Sequence, residues 1–230
     1  MLILTLWTLF FLGALALAVG GHVSADLRLA AGVREGAMAT ALARAGAERA
    51  AMAVLRNPTN WNGMVEGDLG SDETVFRDND SLAGGTFSVY YEYVQQETGL
   101  VATNFGVVRE ARKININKRR DNAREQLLSL GVPPGVIEHI FLWPARKTER
   151  LEDEGGPGLF ESLHELLLVE GVTGELYARL APHVTLYSGE TFGGVAQGVV
   201  RREGGGPVAT RRVAFVFDRR QARFVHWYEF

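Results

Sequence analysis

The sequence predicts an α+β protein: a long N-terminal helix packed on an antiparallel sheet, with the sheet interrupted by an inserted all-α subdomain. Three observations predict it. Residues 1–25 carry no Asp, Glu, Lys or Arg and run straight into an Ala-rich stretch that ends near Asn57-Pro58. Residues 86–94 alternate apolar and polar side chains in the two-residue rhythm of a strand, and further strands are read within 100–117 and 184–228. Between them, residues 119–183 change to helical spacing around two Gly-centred hairpins.

The opening segment sets the scale. At 1.5 Å per residue, about 20 apolar residues cross the hydrocarbon of a bilayer, and about 30 more project as a stalk tens of ångströms beyond it. Residues 1–25 are therefore read as a retained transmembrane anchor. The alternative is a signal peptide cleaved after Val23-Ser24-Ala25, but no positively charged region precedes the apolar run. Residues 26–56 continue as the stalk. Leu27, Ala30, Ala31, Met38, Ala41, Leu42, Ala45 and Val54 recur at three- and four-residue steps, a stripe whose small side chains let another helix or a sheet approach closely; packing on the chain's own domain is expected, and the first seven are also read as a partner-helix contact. Arg44 and Glu48 have the i,i+4 spacing of an ion pair on the wet side. Asn57-Pro58 stops the helix, and Gly20-Gly21 marks a place where the rod is expected to loosen.

Residues 57–85 read as loop, and residues 86–94 as a strand in which Phe87, Val89, Tyr91 and Tyr93 alternate with polar neighbours. Further strands are expected at 100–103 and 105–108, and residues 113–117 close the block, so that 57–118 form the first part of the β region. From Asn122, Leu127, Leu128 and Leu130 lead into Gly131-Val132-Pro133-Pro134-Gly135, followed by Val136, Ile137, Ile140, Phe141 and Trp143 on a second helix. After an acidic link at 149–158, Leu163, Leu166, Leu167 and Val169 precede Gly171-Val172-Thr173, and Leu176, Tyr177 and Leu180 follow. Strands at 184–187, 194–202 and 208–228 complete the sheet.

Composition narrows the chemistry. The chain has 230 residues, 47% of them hydrophobic, and a formal net charge of -3. Clusters at 109–120 and 211–223 are basic, but the whole is not polyanion-seeking. With no cysteine, disulfides, thiolate nucleophiles and Cys-based zinc sites are excluded. The five histidines lack the spacing of a zinc hydrolase, and nucleophile elbows, phosphate-binding glycine loops and dinucleotide fingerprints are missing, so an enzyme is not expected. A calcium site is the one metal candidate: Asp78 and Asp80 have alternate loop spacing, and Glu149, Glu152, Asp153 and Glu154 offer hard oxygens, although neither stretch completes a twelve-residue loop. The two hairpins resemble helix-hairpin-helix units, which cradle nucleic-acid phosphates with free N–H groups. Here two prolines lack an N–H, and Glu138, Glu170 and Glu175 flank the turns, so they are expected to serve as packing units.

Several stretches taken together carry a family resemblance. These are Leu2-Ile3-Leu4-Thr5-Leu6-Trp7, Lys113-Ile114-Asn115-Ile116-Asn117, Leu127-Leu128-Ser129-Leu130-Gly131-Val132, and the run from Phe160-Glu161-Ser162-Leu163-His164-Glu165-Leu166 to Leu180-Ala181-Pro182-His183-Val184-Thr185. In that order they resemble the minor pseudopilin K proteins of type II secretion systems. The resemblance implies a pilin-like fold interrupted by a helical domain. It also implies a non-enzymatic subunit held in the bacterial inner membrane, its head in the periplasm, meeting other minor pseudopilins at the pseudopilus tip. No nucleic acid or small-molecule substrate is expected, and some members bind calcium. Ordinary pilins carry a glutamate at the fifth mature position, which this family usually lacks; Thr5 or Leu4 stands there. The insert at 119–183 is shorter than the family's, and Lys118 follows Asn117 where a small residue is usual. A membrane-tethered DNA-binding protein of the uptake type is the alternative reading, and a secreted periplasmic enzyme a third.

Overall fold

The computed structural model describes residues 2–56, 76–80, 84–94, 101–118, 122–151, 159–201 and 206–230. The architecture is α+β, with a long N-terminal helix and an antiparallel sheet, an arrangement compatible with a pilin-like fold.

Helix α1 (Leu2–Arg56) is one uninterrupted element, about 80 Å long at the standard rise. Gly20 and Gly21 lie inside it without interrupting the helix. Each glycine costs only about 1 kcal/mol relative to Ala, and strong helix formers flank the pair. Ser24 also donates its hydroxyl back to the Gly20 carbonyl at 2.8 Å. The first half is uncovered: Leu6, Trp7, Phe10, Phe11 and Leu15 are all more than half exposed. The second half buries Ala39, Leu42, Ala43, Ala47, Ala50, Ala51 and Val54 against the sheet.

The sheet consists of β1 (Asn79–Asp80), β2 (Gly85–Val94), β3 (Val101–Phe105), β4 (Val108–Arg109), β7 (Thr191–Arg201), β8 (Pro207–Asp218) and β9 (Arg223–Glu229). Its main order is β1-β2-β7-β8-β9, with β3 on β2 and β4 on β7. β2 runs beside β7 only from Gly85↔Val200 to Tyr90↔Val195. Beyond that point β4 takes its place on β7 through Val108↔Gly193 and Arg109↔Phe192.

The strand reading needs three corrections. Asn79-Asp80, expected in a loop, pairs with Phe87 and Thr86 as a short strand. The strand expected over 105–108 is split at Gly106, whose φ of 133° belongs to a turn. The span 208–228 is two strands, turned by an Asp: the Asp218 carboxylate accepts from the N–H groups of Arg220 and Gln221 at 2.8 and 3.1 Å, and Ala222 takes a φ of 50°.

Between β5 (Ile114–Asn115) and β6 (Val184–Thr185) lie α2 (Ala123–Ser129), α3 (Pro134–Leu151), a 3₁₀ segment (Leu163–Leu168) and α4 (Gly174–Leu180). β5 and β6 pair in parallel, which draws the start and end of this excursion together. A second core, including Leu127, Val132, Ile137, Ile140, Leu166 and Leu180, holds the helical segments. Leu163–Leu168, expected as an α-helix, is 3₁₀, closed at its start by a capping box: Ser162 accepts from the His164 N–H, and Glu165 reaches back to the N–H groups of Glu161 and Ser162. Helix α3 takes in Pro144 and the start of the acidic link expected from residue 149.

The union of α1 with the sheet depends on glycine. A Cβ on Gly198 would collide with the backbone oxygen of Ala39 and come within 2.6 Å of the Ala43 nitrogen, and one on Gly46 would meet Phe87 and Ala196 at 3.0 and 3.3 Å. Gly198→Val should therefore cost about 3 kcal/mol in urea unfolding of the detergent-solubilised chain. Gly135→Ala, whose Cβ meets nothing within 4 Å in α3, should stabilise by up to about 1 kcal/mol in the same assay.

Candidate functional site

Two surfaces can act on something outside the chain: the free flank of α1 and a groove on the sheet face away from it. The small-residue stripe read from the sequence divides between inside and outside. Leu42 is buried on the chain's own sheet, and Met38 packs half-buried beside Ala39 and Val200. Leu27, Ala30, Ala41 and Ala45 are exposed, and Ala31 is partly covered. Ala37, Thr40, Ala41 and Ala45 floor an open depression of about 480 Å³, edged by Arg44 and Glu48. The expected Arg44–Glu48 pair is replaced by a longer-range one: Arg44 donates two hydrogen bonds to the Glu229 carboxylate on β9, at 2.8 and 3.0 Å. Trp227 adds a third at 2.8 Å, and these bonds hold the Glu229 carboxyl below its ordinary pKa range. A forked guanidinium on a carboxylate offers better geometry than an i,i+4 contact.

The groove has a volume of about 750 Å³ and lies between the sheet and the helical segments. Its polar lining includes Glu110, Lys113, His164, Tyr177, Tyr187 and His226. Glu110 is only 4% exposed, and Lys113 neutralises it at 2.7 Å. Gly193 makes room for it, since a Cβ there would overlap the Glu110 carboxylate. The His164 ring lies 5.6 Å from that of Tyr177, and Tyr187 lies 6.2 Å from His226. Burial pushes the His226 pKa down, opposed by Glu110, and burial with Lys113 nearby pushes His183 down. Burial also raises Tyr177 and Tyr187. Ser162 and His164 Nδ1 stand 3.4 Å apart, but the hydroxyl serves the capping box, which gives the pair a structural role. The sequence reading missed this groove because its lining comes from segments far apart in the chain.

Two asparagines of the 113–117 motif fasten the groove wall. Asn115, buried, donates to the Tyr187 carbonyl at 2.6 Å and accepts from the N–H groups of Asn117 and Lys118. Asn117 exchanges two hydrogen bonds with the Phe160 backbone, at 2.8 and 2.9 Å. The two hairpin glycines have positive φ, 76° at Gly131 and 87° at Gly171. The neighbouring N–H groups of Gly131, Val132 and Val172 are spent on Leu128, Leu127 and Val169 carbonyls. The hairpins also pack on each other, for a Cβ on Gly171 would strike Val136.

The carboxylates considered for calcium lie only partly within the described residues. Asp78 is exposed, and its N–H donates to the Ser88 hydroxyl at 3.0 Å. Asp80 stands in β1. Glu149 lies in α3, while Glu152, Asp153 and Glu154 fall outside the described residues. Among the described residues no group of three or more His, Asp or Glu side chains is placed to hold a metal.

Comparison with known protein families, with curated proteins and with solved structures returns no match.

The half-buried His183 and His226 make stability depend on pH. Their folded pKa values lie below the ordinary imidazole value of 6.5, so protonation opposes folding, and stability falls as pH drops from about neutrality through that window. His226→Gln should flatten part of this loss in thermal melts between pH 7 and 5; an unchanged slope would remove His226 from the effect.

Proposed function

We propose that this chain is a minor pseudopilin of the type II secretion kind. Residues 1–25 anchor it in the bacterial inner membrane, and its head caps the tip of a periplasmic pseudopilus to support protein export. The observation that carries the reading is the division of α1. The stretch up to Ala25 is apolar and uncharged, with its large side chains uncovered, and the stretch from Ala39 is seated by glycine and alanine on an antiparallel sheet. It is the one helix among the described residues long and apolar enough to cross a membrane. Such a rod stands in lipid as a monomer and exchanges lipid for neighbouring helices on assembly, a step driven by close packing of small side chains.

The exposed flank at Ala37, Ala41 and Ala45 is the seam for those neighbours. The helical segments between β5 and β6 would obstruct further stacking. The DNA-binding reading is weaker, because the N–H groups of Gly131, Val132 and Val172 at the hairpins already bond to carbonyls of this chain.

Ala41→Phe with Ala45→Phe tests the seam without disturbing the core, since both positions face outwards. The double variant should reduce co-purification with sibling minor pseudopilins by about tenfold or more, a loss near 1.4 kcal/mol. Unchanged association, with the sheet still folded, would remove this flank from the interface.

A further inference from the structure

The end of the head nearest the apolar half of α1 is ringed by arginine, and we propose that this collar rests on the anionic headgroups of the membrane that α1 crosses. The proposal depends on the membrane reading of α1, and it holds on whichever side of the bilayer the head lies.

The direction of the head follows from three contacts. Gly46 of α1 lies against Ala196, Ala39 and Ala43 lie against Gly198, and Gly36 lies beside the Arg211 guanidinium, 3.6 Å from where a Cβ would stand. Moving down α1 towards its apolar half thus accompanies moving along β7 towards Arg201. The β7–β8 hairpin, paired through Gly198↔Arg211, Val200↔Ala209 and Arg201↔Pro207, therefore points the end where β7 passes into β8 at the bilayer. Arg201 and Arg211 are exposed there, as are Arg28 and Arg34 on the helix. Among the described residues, the carboxylates at this level are Asp26 and Glu35.

Heights agree with the distances over which such charges act. The first charged residue after the apolar run is Asp26. Arg28 lies about 5 Å and Arg34 about 14 Å along the axis beyond Ala25. The headgroup layer adds about 5–7 Å outside the hydrocarbon, and the Debye length at physiological salt is about 8 Å. Arg28 therefore falls within the headgroups, Arg34 within about one screening length of them, and the Arg211 guanidinium, level with Gly36 about 16 Å beyond Ala25, about 10 Å outside them. Guanidinium forks suit lipid phosphates, and each arginine this near an anionic surface adds to the attraction. The collar would hold the head down on the bilayer until assembly lifts it away.

The chain has no cysteine, so Val208→Cys, on the exposed part of the β7–β8 hairpin, gives a unique site for a fluorophore. The labelled full chain is placed in nanodiscs of phosphatidylcholine alone or with one third phosphatidylglycerol, each containing a lipid with a nitroxide on its headgroup. Quenching should be about twofold stronger in the anionic discs, fall to the neutral level in high salt, and lose its lipid dependence in R201Q/R211Q and, separately, in R28Q/R34Q. An embedded chain quenched equally in both discs overturns the collar while leaving the anchor intact, as does a full response in both variants. A chain that embeds in neither disc overturns the anchor and the collar together.

Discussion

Everything in this structure depends on how closely α1 approaches the sheet. At Gly198 the helix backbone comes so near β7 that a single methyl group would collide with it, and Gly46 on the helix faces Phe87 and Ala196 with little room to spare. Alanines at 39, 43, 47, 50 and 51 continue the contact, so it is made by small groups throughout. Small residues give up hydrophobic area per residue and gain a short distance between two rigid elements, where dispersion contacts accumulate. Bulkier residues are placed where the sheet has depth: Phe192, Phe215 and Phe217 on the strands, with Phe224 edge-on to Phe215 and Phe217 at 5.8 and 5.3 Å. Because one end of α1 is held this firmly, the other end can extend as a straight apolar rod with no tertiary support.

The second organising contact is the parallel β5–β6 pair. It returns the chain to the sheet at a fixed point, and Asn115 and Asn117 satisfy the backbone groups that the irregular segments around it would otherwise leave unpaired. The helical segments then stand beside the sheet face opposite α1, and the groove between them is lined with paired or buried polar groups. The sheet thus has two different faces: one closed by small side chains on a helix, the other open and aromatic.

Much of this was legible in the sequence, because it follows from periodicity. The length of α1, the alternation in β2 and the helical spacing of Leu127, Ile137 and Ile140 all reflect burial on one face. The features that escaped have no periodic signature. The turn at Asp218 contains neither Gly nor Pro and is made by one carboxylate on two N–H groups. A register shift between Val216 and Phe217 puts His226 on the groove face while Trp227 and Glu229 face α1. Arg44 was matched with Glu48 by proximity in sequence, whereas its partner lies at the far end of the chain. The stripe at Ala41 and Leu42 was read as one surface, although neighbouring positions on a helix point about 100° apart and here fall on opposite sides of the burial boundary.

The central claim is that lipid-facing and sheet-facing halves of α1 form one rigid rod through Gly20 and Gly21. The most direct test is a spin-label distance between Leu15→Cys and Ala45→Cys in the nanodisc-embedded chain. A continuous helix predicts a narrow distribution centred near 45 Å. A broad distribution, or a mean well short of that length, would show that the rod bends between membrane and head.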